Sequence, residues 1–148
     1  MSSETIWFNK EVTVEQINQR GQGTIVSHIA IDITECGSNY LVGTMPVDER
    51  TIQPAQILHG GSSCVLAESL GSIAANMVID PSKQMAVGQS ITASHIRPGI
   101  KGTTVTGKAY PIHIGRRSQI WEIDITNQEG KPVCKSSLTM AIVDKPSK

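Results

Sequence analysis

From Thr51 to Ile79 the chain carries a single formal charge, Glu68, in 29 residues, and this stretch limits what the rest can build. Its second part, Gly60 to Ile79, is rich in Ala, Ser, Leu and Met and stops at Asp80-Pro81, which reads as one long helix of roughly 30 Å. A transmembrane span competes with that reading at this length. The Gly60-Gly61-Ser62-Ser63 start, the interior Glu68, Ser69, Gly71, Ser72 and Asn76, and the lack of flanking aromatic or basic anchors argue against insertion.

The remaining segments read as strands. Ile and Val together number thirty against five Leu, and β-branched side chains suit a pleated sheet better than a helix. Thr24 to Thr34 places Ile25, Ile29, Ile31 and Ile33 on one parity, the period of a half-buried strand. Gly37-Ser38-Asn39 then supplies a turn, and Tyr40 to Val47 reads as the second arm of a hairpin. Beyond Pro81 come Met85 to Ile96, Thr103 to Ile114, Gln119 to Thr126 and Pro132 to Val143, separated by turn signals at Pro98-Gly99, Gly115-Arg116-Arg117 and Asn127 to Gly130. Connections this short force antiparallel neighbours. Before them all, Val12 to Gly21 reads as a short helix, with Thr13 and Gln16 in capping-box spacing. The expected class is α+β: one domain of 148 residues in which a curved antiparallel sheet wraps a long central helix.

Several function classes fall away. Thirteen Lys+Arg against thirteen Asp+Glu leave no net charge, and no basic run could track a nucleic-acid backbone. Cys36, Cys64 and Cys134 form no CxxC pair, so no disulfide framework or zinc ribbon is indicated, and each reads as a small buried hydrophobe. His28 and His113 fit no metal-ligand spacing, and His28 reads as an ordinary strand histidine. Met1 to Glu4 has neither a basic nor an apolar signal region, so a cytoplasmic location is expected, and Asp144 to Lys148 reads as a short solvated tail.

The chemistry concentrates around Glu68. An ionised group costs several kcal/mol to bury unless it is paired or functional. On the helix, Cys64, Glu68, Ser72 and Asn76 form a small, polar line and Leu66, Leu70, Ile73 and Met77 an apolar one. The polar line lacks the Lys and Glu of a solvated face and reads as the wall of a cleft. At the helix entry stands His59-Gly60-Gly61, where free backbone N–H groups and the positive dipole end favour a polarised carbonyl. With Gln53 upstream, the set comprises a carbonyl binder, hydrogen-bond donors and an acid/base or nucleophile. No GxSxG and no cysteine–histidine pairing competes with it. His95 and Arg97 share one parity of a strand, and Arg116 and Arg117 follow His113 in a turn; cations at a site mouth suit a phosphate-bearing tail.

The blocks MPVDERT (45–51), QPAQILHGGSSCVLAESLGS (53–72), SHIRP (94–98) and PIHIGRRSQIWEIDI (111–125) resemble the small hotdog-fold acyl-CoA thioesterases, in particular the branch of dihydroxynaphthoyl-CoA and enterobactin-proofreading thioesterases. The likeness runs from about Ile6 to Val143. It implies the hotdog fold and hydrolysis of an acyl-CoA, with an aromatic or medium-chain acyl group, to free acid and CoA. Glu68 matches the catalytic nucleophile or general base. The Gly60 amide, with Gln53 and His59, matches the group that polarises the thioester carbonyl, and Ser72 a residue that positions water. His95 matches a residue near the CoA nucleotide, with Arg97 and Arg116 as phosphate contacts. No cofactor or metal is implied, since coenzyme A enters as part of the substrate. In such enzymes Glu68 of one chain would face Gln53 and His59 of another, which implies a homodimer, commonly doubled to a tetramer. These relatives usually read Gln-Pro-Phe-Gly where this chain has Gln53-Pro54-Ala55-Gln56, so its acyl pocket is expected to differ.

Two other readings follow from the same residues. A hotdog protein could bind or sense acyl-CoA without hydrolysing it, and both Glu68 and Gln53 count against that. A hydratase acting on an unsaturated thioester would need a His-Asp type pair that the sequence does not offer.

Overall fold

The computed structural model describes residues 4–147. Nine elements follow in order: α1 (Val14–Arg20), α2 (Ile25–His28), β1 (Asp32–Cys36), β2 (Leu41–Pro46), α3 (Gly60–Val78), β3 (Gln84–His95), β4 (Thr104–Ile114), β5 (Ser118–Thr126) and β6 (Pro132–Asp144). The six strands form one sheet in the order β1-β2-β4-β5-β6-β3, and every neighbouring pair is antiparallel. α3 carries the chain from β2 to the far edge, where β3 pairs only with β6. It therefore crosses one face of the sheet, as expected for a hotdog fold.

The packing follows from residue size. Leu66, Leu70, Ala67, Ala74 and Ala75 of α3 are fully buried against Val105, Ala109, Ile123, Ile125, Leu138 and Met140 of the sheet. Leu70 lies over Gly43 and Gly107, where a Cβ would come within 2.8 Å and 2.7 Å of its methyl groups, so bare backbone lets the helix approach closely. Of the five aromatics, the two tryptophans are used in the core, while Phe8 is 55% exposed. Trp7 and Trp121 stack at 6.3 Å between centroids, and their indole N–H groups donate to the Gly37 carbonyl at 2.7 Å and to Gln119 Oε1 at 2.8 Å. No helix among the described residues is long and apolar enough to cross a membrane.

The cap of α1 is as expected: Thr13 and Gln16 exchange side-chain and backbone hydrogen bonds, and Gly21 closes the helix. The expected strand from Thr24 to Thr34 is corrected in its first half. Thr24 accepts from the Val26 N–H and donates to the Gly21 carbonyl, which starts the single turn α2 instead. Ala30 then adopts φ 57 and re-aims the chain, so β1 begins only at Asp32. Ile29, Ile31 and Ile33 are buried as the parity demands, but Ile25 is 55% exposed. His28 accordingly sits at the end of a helical turn rather than within a strand.

Two smaller corrections concern cysteines and the C-terminus. Only Cys134 is buried; Cys36 and Cys64 are half-buried, and all three are free thiols. β6 runs through Asp144, and Lys145 donates its N–H to the Lys83 carbonyl at 2.9 Å, so the expected tail begins at Pro146. Residues 1–3 and 148, which the expectations for both termini include, lie outside the described residues.

Two members of the polar line of α3, Glu68 and Asn76, face β3. Asn76 donates to the Ala86 carbonyl at 3.0 Å and accepts from the Ala86 N–H at 2.9 Å, satisfying an edge-strand residue twice and fixing the spacing of helix and strand. Replacing Asn76 with Ala should destabilise the fold by about 1–3 kcal/mol in chemical denaturation, because both partners on Ala86 are lost together.

Candidate active site

The segment between β2 and α3 is a tight, cross-braced loop. Thr51 Oγ1 donates to the Pro46 carbonyl at 2.8 Å, the His59 N–H to Thr51 at 2.8 Å, the Gln53 N–H to Ile57 at 2.9 Å and the Leu58 N–H to Gly99 at 2.9 Å. At its tip Gln53 Oε1 accepts the Ala55 N–H. That bond occupies the carbonyl end of the amide, so the Gln53 NH₂ is the end left to donate. Gln56 holds φ 66, a left-handed conformation that costs a non-glycine residue about 1 kcal/mol or more. Its Oε1 accepts from Lys101 Nζ at 3.1 Å.

α3 begins where this loop ends. His59 is its N-cap: Nδ1 accepts the Gly61 N–H at 2.8 Å, which places the imidazole proton on Nε2. Among the described residues the Gly60 N–H has no protein acceptor. It stands at the positive end of a 19-residue helix, suited to hold an oxygen that gains negative charge. The His95 ring packs against Gly60, where a Cβ would come within 2.9 Å of Nε2, so glycine at residue 60 makes room for His95 beside the amide. Gln53, Gly60, His95 and Arg97 share one open cavity of about 320 Å³, whose floor is Ile57, Leu58 and Val133.

Glu68 lies elsewhere on the same helix. It is eight residues beyond Gly60, about 12 Å along the axis at helical rise. There it is half-buried and lines a second groove of about 380 Å³ with Ser72, Ser69, Val65, Ile73 and, from α2, Ile25 and Val26. Its carboxylate rests against Gly88 of β3. Of the expected site residues, one chain thus gathers Gln53, Gly60, His95 and Arg97 at the helix start and Glu68 with Ser72 two turns on, and does not join the groups. His59 is exposed at the boundary of loop and helix. Arg97 also donates from Nη1 to the Pro132 carbonyl at 2.5 Å. Arg116 is exposed in the β4–β5 turn and lines neither depression, while its neighbour Arg117 pairs with Asp144 at 3.3 Å.

Residues outside the expected set complete this geometry. The groove beside Glu68 owes its apolar wall to Val65, Ile73 and α2, the element the strand reading had removed. Gly88 lies inside the strand-like run Met85 to Ile96, and a glycine in such a run is the one sign of it that the sequence carries. Among the described residues no group of three or more His, Cys, Asp or Glu is placed to hold a metal ion.

A family model described as the thioesterase superfamily matches residues 55–134, more than half of the chain. The 1,4-dihydroxy-2-naphthoyl-CoA hydrolase of Escherichia coli is 43% identical over 93% of this chain and 99% of its own length. The proofreading thioesterase EntH of Cronobacter turicensis is 44% identical over 93% of this chain and 98% of its own. The crystal structure of thioesterase HI1161 from Haemophilus influenzae superposes with a TM-score of 0.89 at 41% identity, covering 95% of this chain and 96% of that one.

Proposed function

Because the chain belongs to the thioesterase superfamily and is a thioester hydrolase, we propose that it cleaves an acyl-CoA to free acid and CoA, with Glu68 as the reactive carboxylate. The observation that carries this reading is the division of labour along α3. One end offers a free amide and an oriented glutamine to a carbonyl oxygen, and a solitary carboxylate stands two turns away in an apolar groove.

Each part then has a role. The Gly60 N–H and the Gln53 NH₂ donate to the thioester carbonyl, with His59 Nε2–H beside them, and stabilise the oxyanion as a tetrahedral centre forms. Glu68 either attacks the carbonyl carbon or takes a proton from the attacking water, which Ser72 orients. CoA leaves as the thiolate and is protonated to the thiol. With Glu68 as base the second carboxyl oxygen comes from water; with Glu68 as nucleophile it comes from the Glu68 carboxylate, and water opens the anhydride at the Glu68 carbonyl and restores that oxygen to the enzyme. His95 and Arg97 border the cavity through which the CoA arm runs, and Arg116 reaches its phosphates from the β4–β5 turn. Ile25, Val26, Val65 and Ile73 supply an apolar wall for the acyl group.

The reaction needs donors and carboxylate on one carbonyl, and about 12 Å separates them within a chain. A second copy related by a two-fold axis would set Glu68 of one α3 against Gly60 and Gln53 of the other. The edge of β3 supports such a pairing: it is a 12-residue strand with Met85 and Val87 exposed, a surface that proteins seldom leave unpaired.

Thiol release from a panel of acyl-CoAs tests the reading. Benzoyl-CoA and medium-chain acyl-CoAs should be cleaved at least about tenfold more efficiently than acetyl-CoA, the discrimination expected from filling an apolar pocket. Absence of thiol release from every member of the panel would overturn the proposal.

A further inference from the structure

We propose that Gly88 is a positioning residue for Glu68: its missing side chain is the seat in which the carboxylate rests. This inference depends on the reading of Glu68 as the reactive group. A Cβ at residue 88 would overlap Glu68 Oε1 and stand 3.6 Å from its carboxyl carbon. The backbone does not itself demand glycine here. The glycines with positive φ are Gly23, Gly102 and Gly130, and Gly88 is not among them. At Gly43 and Gly107 the space without a Cβ is filled by Leu70, an ordinary core contact, whereas at Gly88 it is filled by an ionisable group.

The surroundings make this seat rigid on one side only. Asn76 clamps Ala86 to α3 two residues before Gly88, and the register of β3 against β6 shifts between Gly88 and Ser90, the kind of bulge that re-aims groups beside a site. Strand and helix are thus held, and the end of the Glu68 side chain is the part free to move. A methyl group at residue 88 should push the carboxylate aside at little cost to the fold. Displacements of about 1 Å can cost 10²-fold in rate.

The test is Gly88→Ala, alone and combined with Glu68→Asp, assayed with the best substrate of the panel alongside thermal unfolding. Gly88→Ala should lower kcat about 30-fold or more, leave KM within about threefold and shift Tm by no more than a few degrees. The shorter Asp carboxylate clears the added methyl, so Gly88→Ala should cost less than about threefold in the Glu68→Asp background. Equal losses in both backgrounds would make Gly88 a merely structural residue and overturn the inference, as would a wild-type kcat for Gly88→Ala. Should the single variant not fold, the double variant must fold and keep the Glu68→Asp rate, or the inference fails. Glu68→Gln distinguishes the two levels: its full activity overturns the reading of Glu68 itself, whereas an inactive Glu68→Gln with an unimpaired Gly88→Ala overturns only the role of Gly88.

Discussion

Glu68→Gln should lower kcat by about a thousandfold or more while leaving KM and Tm near their wild-type values. The substitution keeps the size and polarity of the side chain, so the contact with Gly88 and the half-buried setting in the groove persist. What it removes is the capacity to attack a carbonyl or to accept a proton from water. Among the described residues of one chain, no other ionisable side chain lines that groove. Single-turnover hydrolysis in oxygen-18 water then separates the two roles open to Glu68, since direct attack puts label into the Glu68 carboxylate and general-base catalysis does not.

Gln53→Ala should cost about 10²–10³-fold in kcat, the usual effect of deleting one oxyanion donor. Gln53→Glu isolates the reason. A glutamate can still accept the Ala55 N–H and hold the turn, but it presents an acceptor where the NH₂ stood. It should therefore be at least as inactive as Gln53→Ala while unfolding at a similar temperature. An active Gln53→Glu enzyme would show that the amide serves the loop and not the thioester.

Much of this arrangement is legible in the residues themselves. The Gly37-Ser38-Asn39 turn marks β2 as a hairpin arm, turn signals separate the four C-terminal strands, and the capping residues of α1 announce its start. Glu68 stands out because burial makes a charge expensive, so a carboxylate alone among 29 residues needs a reason. α2 escapes such reasoning because Ile25, Ile29 and Ile33 satisfy helical and strand spacing at once, and only the Thr24 cap and the left-handed Ala30 decide between them. Gly88 escapes it because the meaning of a glycine lies in what fills its space, and that is a tertiary contact. The cleft expected along Cys64, Glu68, Ser72 and Asn76 is half a cleft: Asn76 serves the fold by binding Ala86, and Glu68 and Ser72 border the groove.

The central claim is that donors and carboxylate come from different copies of the chain, and subunit mixing tests it most directly. Glu68→Ala and Gln53→Ala chains carrying different affinity tags are co-expressed, the mixed species is isolated through both tags, and its thiol release is compared with wild type. In a mixed dimer one site holds both defects and the other holds neither, so activity should return to about half that of wild type, far above either parent. Mixed species as inactive as the parents would place Glu68 and Gln53 in the same chain's site and contradict the account.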